Sequence, residues 1–226
     1  MFDKFDKFKD KFKGIVTAIL PNKDSKKESD TKECVDNFDL INSMLKFEDP
    51  KHFYFVQLVK RKKDNPEMKK DVSIVDNFFI YSNGDLPKLK NKIVDLCELN
   101  NARAYIRMNV RDAEKIALET IKITTQCIID RDYRGVKSAY LSACGQYSSD
   151  KNKKWIIDID TKDEILIKEV IEHILTILPK GGIIYGKVPT RNGLHLLTSG
   201  FNPQLFKDKY PKIDIHKDNM TVLYAK

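Results

Sequence analysis

The stretch that most constrains this chain is Lys154-Trp155-Ile156-Ile157-Asp158-Ile159-Asp160-Thr161. Four bulky β-formers dominate it, and the run reads as a strand buried on both faces. At strand period two, Asp158 and Asp160 project from one face, about 7 Å apart along the chain. Two like charges on a buried face are costly unless a cation offsets them. A hard divalent ion, Mg²⁺ or Mn²⁺, meets that need because it prefers carboxylate oxygens. The alternative is a strand end with two solvated acids, Asp160-Thr161 capping the helix that follows.

The rest of the chain supplies the setting. Its 226 residues are enough for one large domain or two small ones, and 41% hydrophobic with 10% aromatic residues makes it globular. The net charge of +8 favours an anionic partner, nucleic acid first. No run of about 18 apolar residues predicts a membrane span, and no signal-peptide pattern opens the sequence, so a cytoplasmic location is expected. Cys34, Cys97, Cys127 and Cys144 are scattered without zinc spacing and are expected as free thiols.

Taken in order, residues 1–13 place Phe2, Phe5, Phe8 and Phe12 at helical spacing among Lys and Asp, an amphipathic arm. A partner such as a replicative helicase, a membrane surface and the protein's own body all stay open as its docking site. A polar linker runs to residue 33, and a folded domain is expected over 34–226. Val35 to Phe47 reads as a helix, Phe53–Val59 and Val72–Tyr81 as a hairpin, and Asp85–Leu99 as a helix. The hairpin's tip carries Lys60, Arg61, Lys62, Lys63, Lys69 and Lys70, a candidate contact for a phosphate backbone. On the strand Ala102–Val110, Arg103, Tyr105, Arg107 and Asn109 share a face. Two guanidiniums flanking an aromatic ring make that face a candidate nucleic-acid surface. A helix to about Ile129 completes an N-terminal α/β unit over 34–147.

Residues 148–226 read as a second unit, β-α-β-β-(α)-β-β. After the D-x-D strand, Lys162–Leu178 is an amphipathic helix, with His173 expected on its surface. Ile183–Thr190 and Leu194–Thr198 flank the hairpin turn Arg191-Asn192-Gly193. Ile213–Asp218 and Thr221–Tyr224 are the last strands. Asp158, Asp160 and Asp214 are then placed to hold one or two divalent ions. His195, Arg191, Lys187 and Asn192 lie near enough in sequence to meet a nucleotide's phosphates. That is the division of labour of metal-assisted nucleotidyl transfer.

Ile156-Ile157-Asp158-Ile159-Asp160, then Asn192-Gly193-Leu194-His195, then Ile213-Asp214, together resemble the three-motif signature of the archaeo-eukaryotic primase superfamily. The closest likeness is to the small primase-polymerase (PrimPol) proteins of phages and plasmids, over roughly residues 50–226. The resemblance implies an α+β fold, an RRM-like palm sheet with an N-terminal α/β unit. It also implies DNA primase or polymerase activity on a single-stranded template with NTP or dNTP as substrate, in the cytoplasm of a host if phage-encoded. In that pattern Asp158, Asp160 and Asp214 are metal ligands and His195 contacts the incoming nucleotide's phosphates. Gly193 stands where the family often has Ser. His216 and Asp218 share a strand face with Asp214, which leaves the third motif ambiguous. Two other classes compete. A replication-initiator endonuclease requires a second histidine beside His195, which Leu194-His195-Leu196-Leu197 lacks. A non-catalytic single-strand binder requires exposed aromatics where these strands carry Asp and His.

Overall fold

The computed structural model describes residues 34–148 and 153–226. The Phe-bearing arm and linker expected over 1–33, and all but the first residue of the turn expected over 148–152, lie outside the described residues. The fold is α+β, built on two antiparallel sheets. The first holds β1 (Val35–Asp36), β2 (His52–Arg61), β3 (Val72–Ile80), β4 (Arg103–Asp112) and β9 (Met220–Ala225), in the order β1-β9-β4-β2-β3. The second holds β5 (Trp155–Ile159), β6 (Ile184–Pro189), β7 (Leu194–Thr198) and β8 (Asp214–His216), in the order β6-β7-β5-β8.

β2 explains the first sheet. Phe53 to Val59 are all buried, so both of its faces need cover. One face, with Tyr54, Val56 and Leu58, packs with Ala104 and Ile106 of β4 beneath α1 (Phe38–Met44) and α2 (Asp85–Asn100). The other, with Phe53 and Phe55, packs against Ile116 of α3 (Ala113–Ile129) and Ala143 and Cys144 of α5 (Ala139–Gln146). A single turn, α4 (Tyr133–Val136), links those two helices. Each fully buried aromatic contributes about 2–3 kcal/mol by area transfer. Local signals mark the ends: Asp112 caps α3 by accepting from the Lys115 N–H, and Asn101 ends α2 at φ 46°. Asn is among the few residues that take that left-handed conformation at low cost.

In the second sheet, Ile157, Ile159 and Leu196 pack beneath α6 (Glu164–Thr176) and α7 (Pro203–Lys209), against Ile167, Val170, Ile174 and Phe206. The opposite face is mixed. Ile156, Val188 and Leu197 join the first sheet's core, while the polar residues between them line a site. His173 is half-buried against the Phe206 and Tyr210 rings, at 6.1 and 5.5 Å between centroids, and does not lie free on the helix surface.

The sequence assigned 148–226 to one sheet, and the structure corrects this. β9 pairs with β4 and β1, so the last strand crosses into the first sheet. The cause is its composition: Thr221 to Ala225 are all buried, and a strand without alternation needs cover on both sides. The edge strand β8, three residues long, cannot give it that. The described residues belong to one compact unit, Lys32–Lys226, and none of their helices is long and apolar enough to cross a membrane. All four cysteines are free thiols, Cys97 and Cys144 buried, Cys34 exposed and Cys127 between.

Candidate functional site

β5 sits between β7 and β8, and the register brings the chemistry together. Asp158 is directly opposite His195 on β7 and Asp214 on β8, while Ile156 is opposite His216. Directly opposed residues share a face, so Asp158, His195, Asp214 and His216 leave the sheet on one side. Asp160 follows two residues on, just past the strand end. The alternative role for Asp160, as helix cap, falls to another residue: Asp163 accepts from the Ile165 and Leu166 N–H groups at the start of α6. Asp160 is thereby left exposed, with its carboxylate unengaged among the described residues.

The hairpin turn is fitted against this strand end. A Cβ on Gly193 would lie 1.9 Å from the Ile159 carbonyl oxygen and 2.6 Å from the Thr161 nitrogen. The small residue two before His195 is therefore dictated by contact with the backbone on either side of Asp160, not by backbone conformation. A serine there would have no room.

His195 is held from both ends. Its Nε2 lies 3.4 Å from Asp158 Oδ1, and its Nδ1 is 2.9 Å from the hydroxyl of Thr221, a fully buried residue of β9. In the neutral ring, Nε2–H directed at the carboxylate makes Nδ1 the acceptor of the Thr221 hydroxyl proton. The His195 hydrogen bond lowers the Asp158 carboxyl below its usual range; burial opposes this, and the charges of His195, His216 and Arg61 add to it. Asp158 is thus an anion near neutral pH. Thr221 carries no motif and could not be found from sequence, because its role depends on β9 crossing between the sheets.

Asp214 is opposite Asp158 in the ladder, yet its carboxylate pairs with Lys207 of α7 at 3.2 Å and is 70% exposed. No cluster of three or more His, Cys, Asp or Glu set to hold a metal ion occurs among the described residues. The chemistry of the donors nonetheless suits a hard divalent ion, because Asp158 and Asp160, two residues apart at the end of β5, offer carboxylate oxygens without a soft ligand. Mg²⁺ typically binds through one or two carboxylates, keeps several waters and takes further oxygens from substrate phosphates.

Cations border the same space. Arg61, at the end of β2, donates to the Tyr105 hydroxyl at 3.2 Å and is close enough for its charge to act on Asp158. Within the basic tip, Lys60 and Arg61 are half-buried, while Lys62 and Lys63 stay exposed. Arg103 and Arg191 converge on Asp64 Oδ1, at 2.6 and 3.5 Å, so one carboxylate ties the β2–β3 tip to β4 and to the β6–β7 turn. The Nε groups of both arginines are buried without an acceptor among the described residues. Asn192 is exposed at the turn. Lys187 requires a correction. It is opposite Leu196, so it leaves the sheet on the α6–α7 side, away from His195. Arg107 is half-buried and donates to the Asp218 carbonyl at 3.0 Å, and Tyr105, also half-buried, packs its ring against the first sheet's core.

Asp218, the other acid considered beside Asp214, is engaged elsewhere. Its Oδ1 accepts from Asn109 Nδ2 at 3.0 Å and lies 3.5 Å from Nη1 of Arg111, a guanidinium with no solvent exposure. Arg111 also donates to the carbonyls of Cys144 and Asn109. Asn109 in turn bonds both the N–H and the C=O of Lys154, the residue before β5. Asp218 is therefore part of the joint between the sheets, and Asp214 is the carboxylate left at the site's edge. Comparison with protein-family models, with curated proteins and with solved structures finds no match for this chain.

Proposed function

We propose that this chain is a template-dependent nucleotidyltransferase of the primase-polymerase type, acting on single-stranded DNA with Mg²⁺ or Mn²⁺. The observation that carries this reading is the cross-strand grouping of Asp158 with His195, two residues before Asp160 and within reach of the Arg61 charge. An ionised acid pair next to guanidiniums suits a ligand that brings both a divalent ion and polyphosphate. In this reading Asp158 and Asp160 hold the ion, and Asp214 joins them once released from Lys207. When bound, the ion supplies activation of the attacking hydroxyl and charge neutralisation at the leaving pyrophosphate. His195, fixed by Thr221, presents Nε2–H to a phosphate oxygen. Arg61 and Arg191 stabilise the phosphates, and Tyr105 offers a ring for a base to stack on. Lys62, Lys63 and Asn192 remain exposed contacts for the nucleic-acid backbone.

The test is nucleotide incorporation on single-stranded DNA, with and without primer, in Mg²⁺ or Mn²⁺. Asp158→Ala/Asp160→Ala should lower the rate by about 10³-fold or more while the unfolding midpoint moves by only a few degrees. Equal activity in the double variant would sink the assignment. A non-catalytic single-strand binder is the competing reading, and the Lys207–Asp214 pair is the observation on its side. It predicts metal-independent binding and no incorporation in the wild type.

A further inference from the structure

Three guanidiniums act on the single carboxylate of Asp64. Arg103 of β4 and Arg191 of the β6–β7 turn both take its Oδ1, at 2.6 and 3.5 Å, and the Arg61 charge adds to theirs. Asp64 Oδ2 is buried without a hydrogen-bond partner among the described residues, and so is Nε of Arg103 and of Arg191. A guanidinium and a carboxylate pair best through two parallel bonds, fork to fork. Here two forks crowd one oxygen, and the second oxygen goes unused. Burial first, and then the charge of Arg103, work against the charged form of Arg191. Glu98 and Lys226 line the same cleft but offset each other at 3.6 Å, so the surplus positive charge belongs to the arginines. The side chains of Arg103 and Arg191 are 18% and 21% exposed, which lets a dissolved anion reach them. The tip also has anchors that do not use the carboxylate. Asn101 donates to the Asp64 carbonyl at 2.7 Å, and Asn65 donates to the Arg61 and Asn101 carbonyls at 3.1 and 3.0 Å.

We propose that Arg103 and Arg191 form a phosphate-binding site in which the Asp64 carboxylate is a resident competitor, displaced when phosphate arrives. A phosphate group carries enough oxygens to meet both forks at once, which one carboxylate oxygen does not. The space left beside Asp64 is about 20 Å³, room for about one water, so phosphate enters only in place of the carboxylate. Its two sources are the backbone of a nucleic-acid strand and the polyphosphate of a free nucleotide. Exposed Lys62 and Lys63 directly precede Asp64, and exposed Asn192 follows Arg191, so further donors stand beside the site for a chain of phosphates. The site rests on the function proposed above only in that Arg191 meets phosphate, and it needs no metal.

The test is isothermal titration calorimetry of the full chain in EDTA, with an oligo-dT strand and with inorganic triphosphate as separate probes. Asp64→Asn keeps the shape and removes the competing charge, and should tighten binding about tenfold. Asp64→Ser, read in parallel below the unfolding midpoint, should give the same gain through a different side chain. Arg103→Gln in the Asp64→Asn background should take the gain away. Asp71→Asn removes an exposed acid from the same tip and should change affinity less than about twofold. A gain for the strand alone assigns the site to a nucleic-acid backbone, and a gain for triphosphate alone assigns it to a nucleotide. No gain for either probe, a gain matched by Asp71→Asn, or a gain that survives Arg103→Gln overturns the site. Nucleotide incorporation by the wild type without any gain in Asp64→Asn overturns the site and leaves the reaction standing. A gain in a chain that incorporates nothing supports the site and removes the reaction.

Discussion

Replacing Asp218 separates a structural acid from a catalytic one. Arg111 has no exposed side-chain surface, and burial works against its charged form. Asp218 is the carboxylate paired with it, and is itself only 16% exposed. Removing one partner of a buried pair costs about 3–5 kcal/mol, because the remaining charge is left uncompensated. The 3.5 Å separation and residual exposure place Asp218→Ala near the lower end, about 3 kcal/mol. The loss also removes one of the two acceptors of the Asn109 amide, the Lys154 carbonyl remaining. For a domain of this size the midpoint should fall by about 6–12 °C. Asp214→Ala, by contrast, removes a 70% exposed carboxylate and should shift the midpoint by no more than about 1 °C. Thermal unfolding followed by circular dichroism measures both, beside the incorporation assay. The expected result is a cross-over: Asp218→Ala unstable with residual activity at low temperature, Asp214→Ala stable and inactive. A midpoint unchanged in Asp218→Ala would refute the view that this acid neutralises Arg111. An inactive but fully stable Asp218→Ala would make it the third metal ligand instead.

Three further outcomes follow from the same geometry. Gly193→Ala should cut activity about 10²-fold or more, since a displacement near 1 Å at a catalytic group is enough for that. It forces the turn away from the backbone flanking Asp160, and wild-type activity in a folded variant would show that the contact is dispensable. Thr221→Val keeps shape but removes the hydroxyl that orients His195; nucleotide KM should rise severalfold at a stability cost of about 1 kcal/mol, and an unchanged KM would leave His195 self-positioned. Burial raises the Asp64 carboxyl, but the Arg103 hydrogen bond and the charges of Arg103, Arg191 and Arg61 hold it below its ordinary value. A depressed folded value stabilises the protein above the unfolded one and is lost as pH falls through it. The midpoint of Asp64→Asn should therefore lie below wild type at neutral pH and converge with it in acid, and parallel curves would remove Asp64 from the acid response.

Much of this was legible in the residues. The apolar run around Asp158 and Asp160 set a central strand, although the strand stops at Ile159 and leaves Asp160 just past its end. Asn192-Gly193 marked the hairpin that carries His195, and helix periodicity located α2, α3 and α6 to within a few residues. These features are local, so spacing along the chain is sufficient to reveal them. Partners from distant segments were beyond its reach. Thr221 reaches His195 because β9 pairs with β4 and β1, and the lack of alternation that asks for cover on both sides does not say which strands supply it. Arg61 joins the site while Lys62 and Lys63 stay in solvent, a difference set by strand register at the β2–β3 tip. The β6–β7 pairing turns Lys187 away from His195, because one residue along a strand reverses its side. Sequence pointed to candidate acids; tertiary packing decided that Asp163 would cap α6, that Asp218 would pair with Arg111, and that Asp160 would lie exposed. Each such choice depends on which group lies within hydrogen-bonding distance in the folded chain.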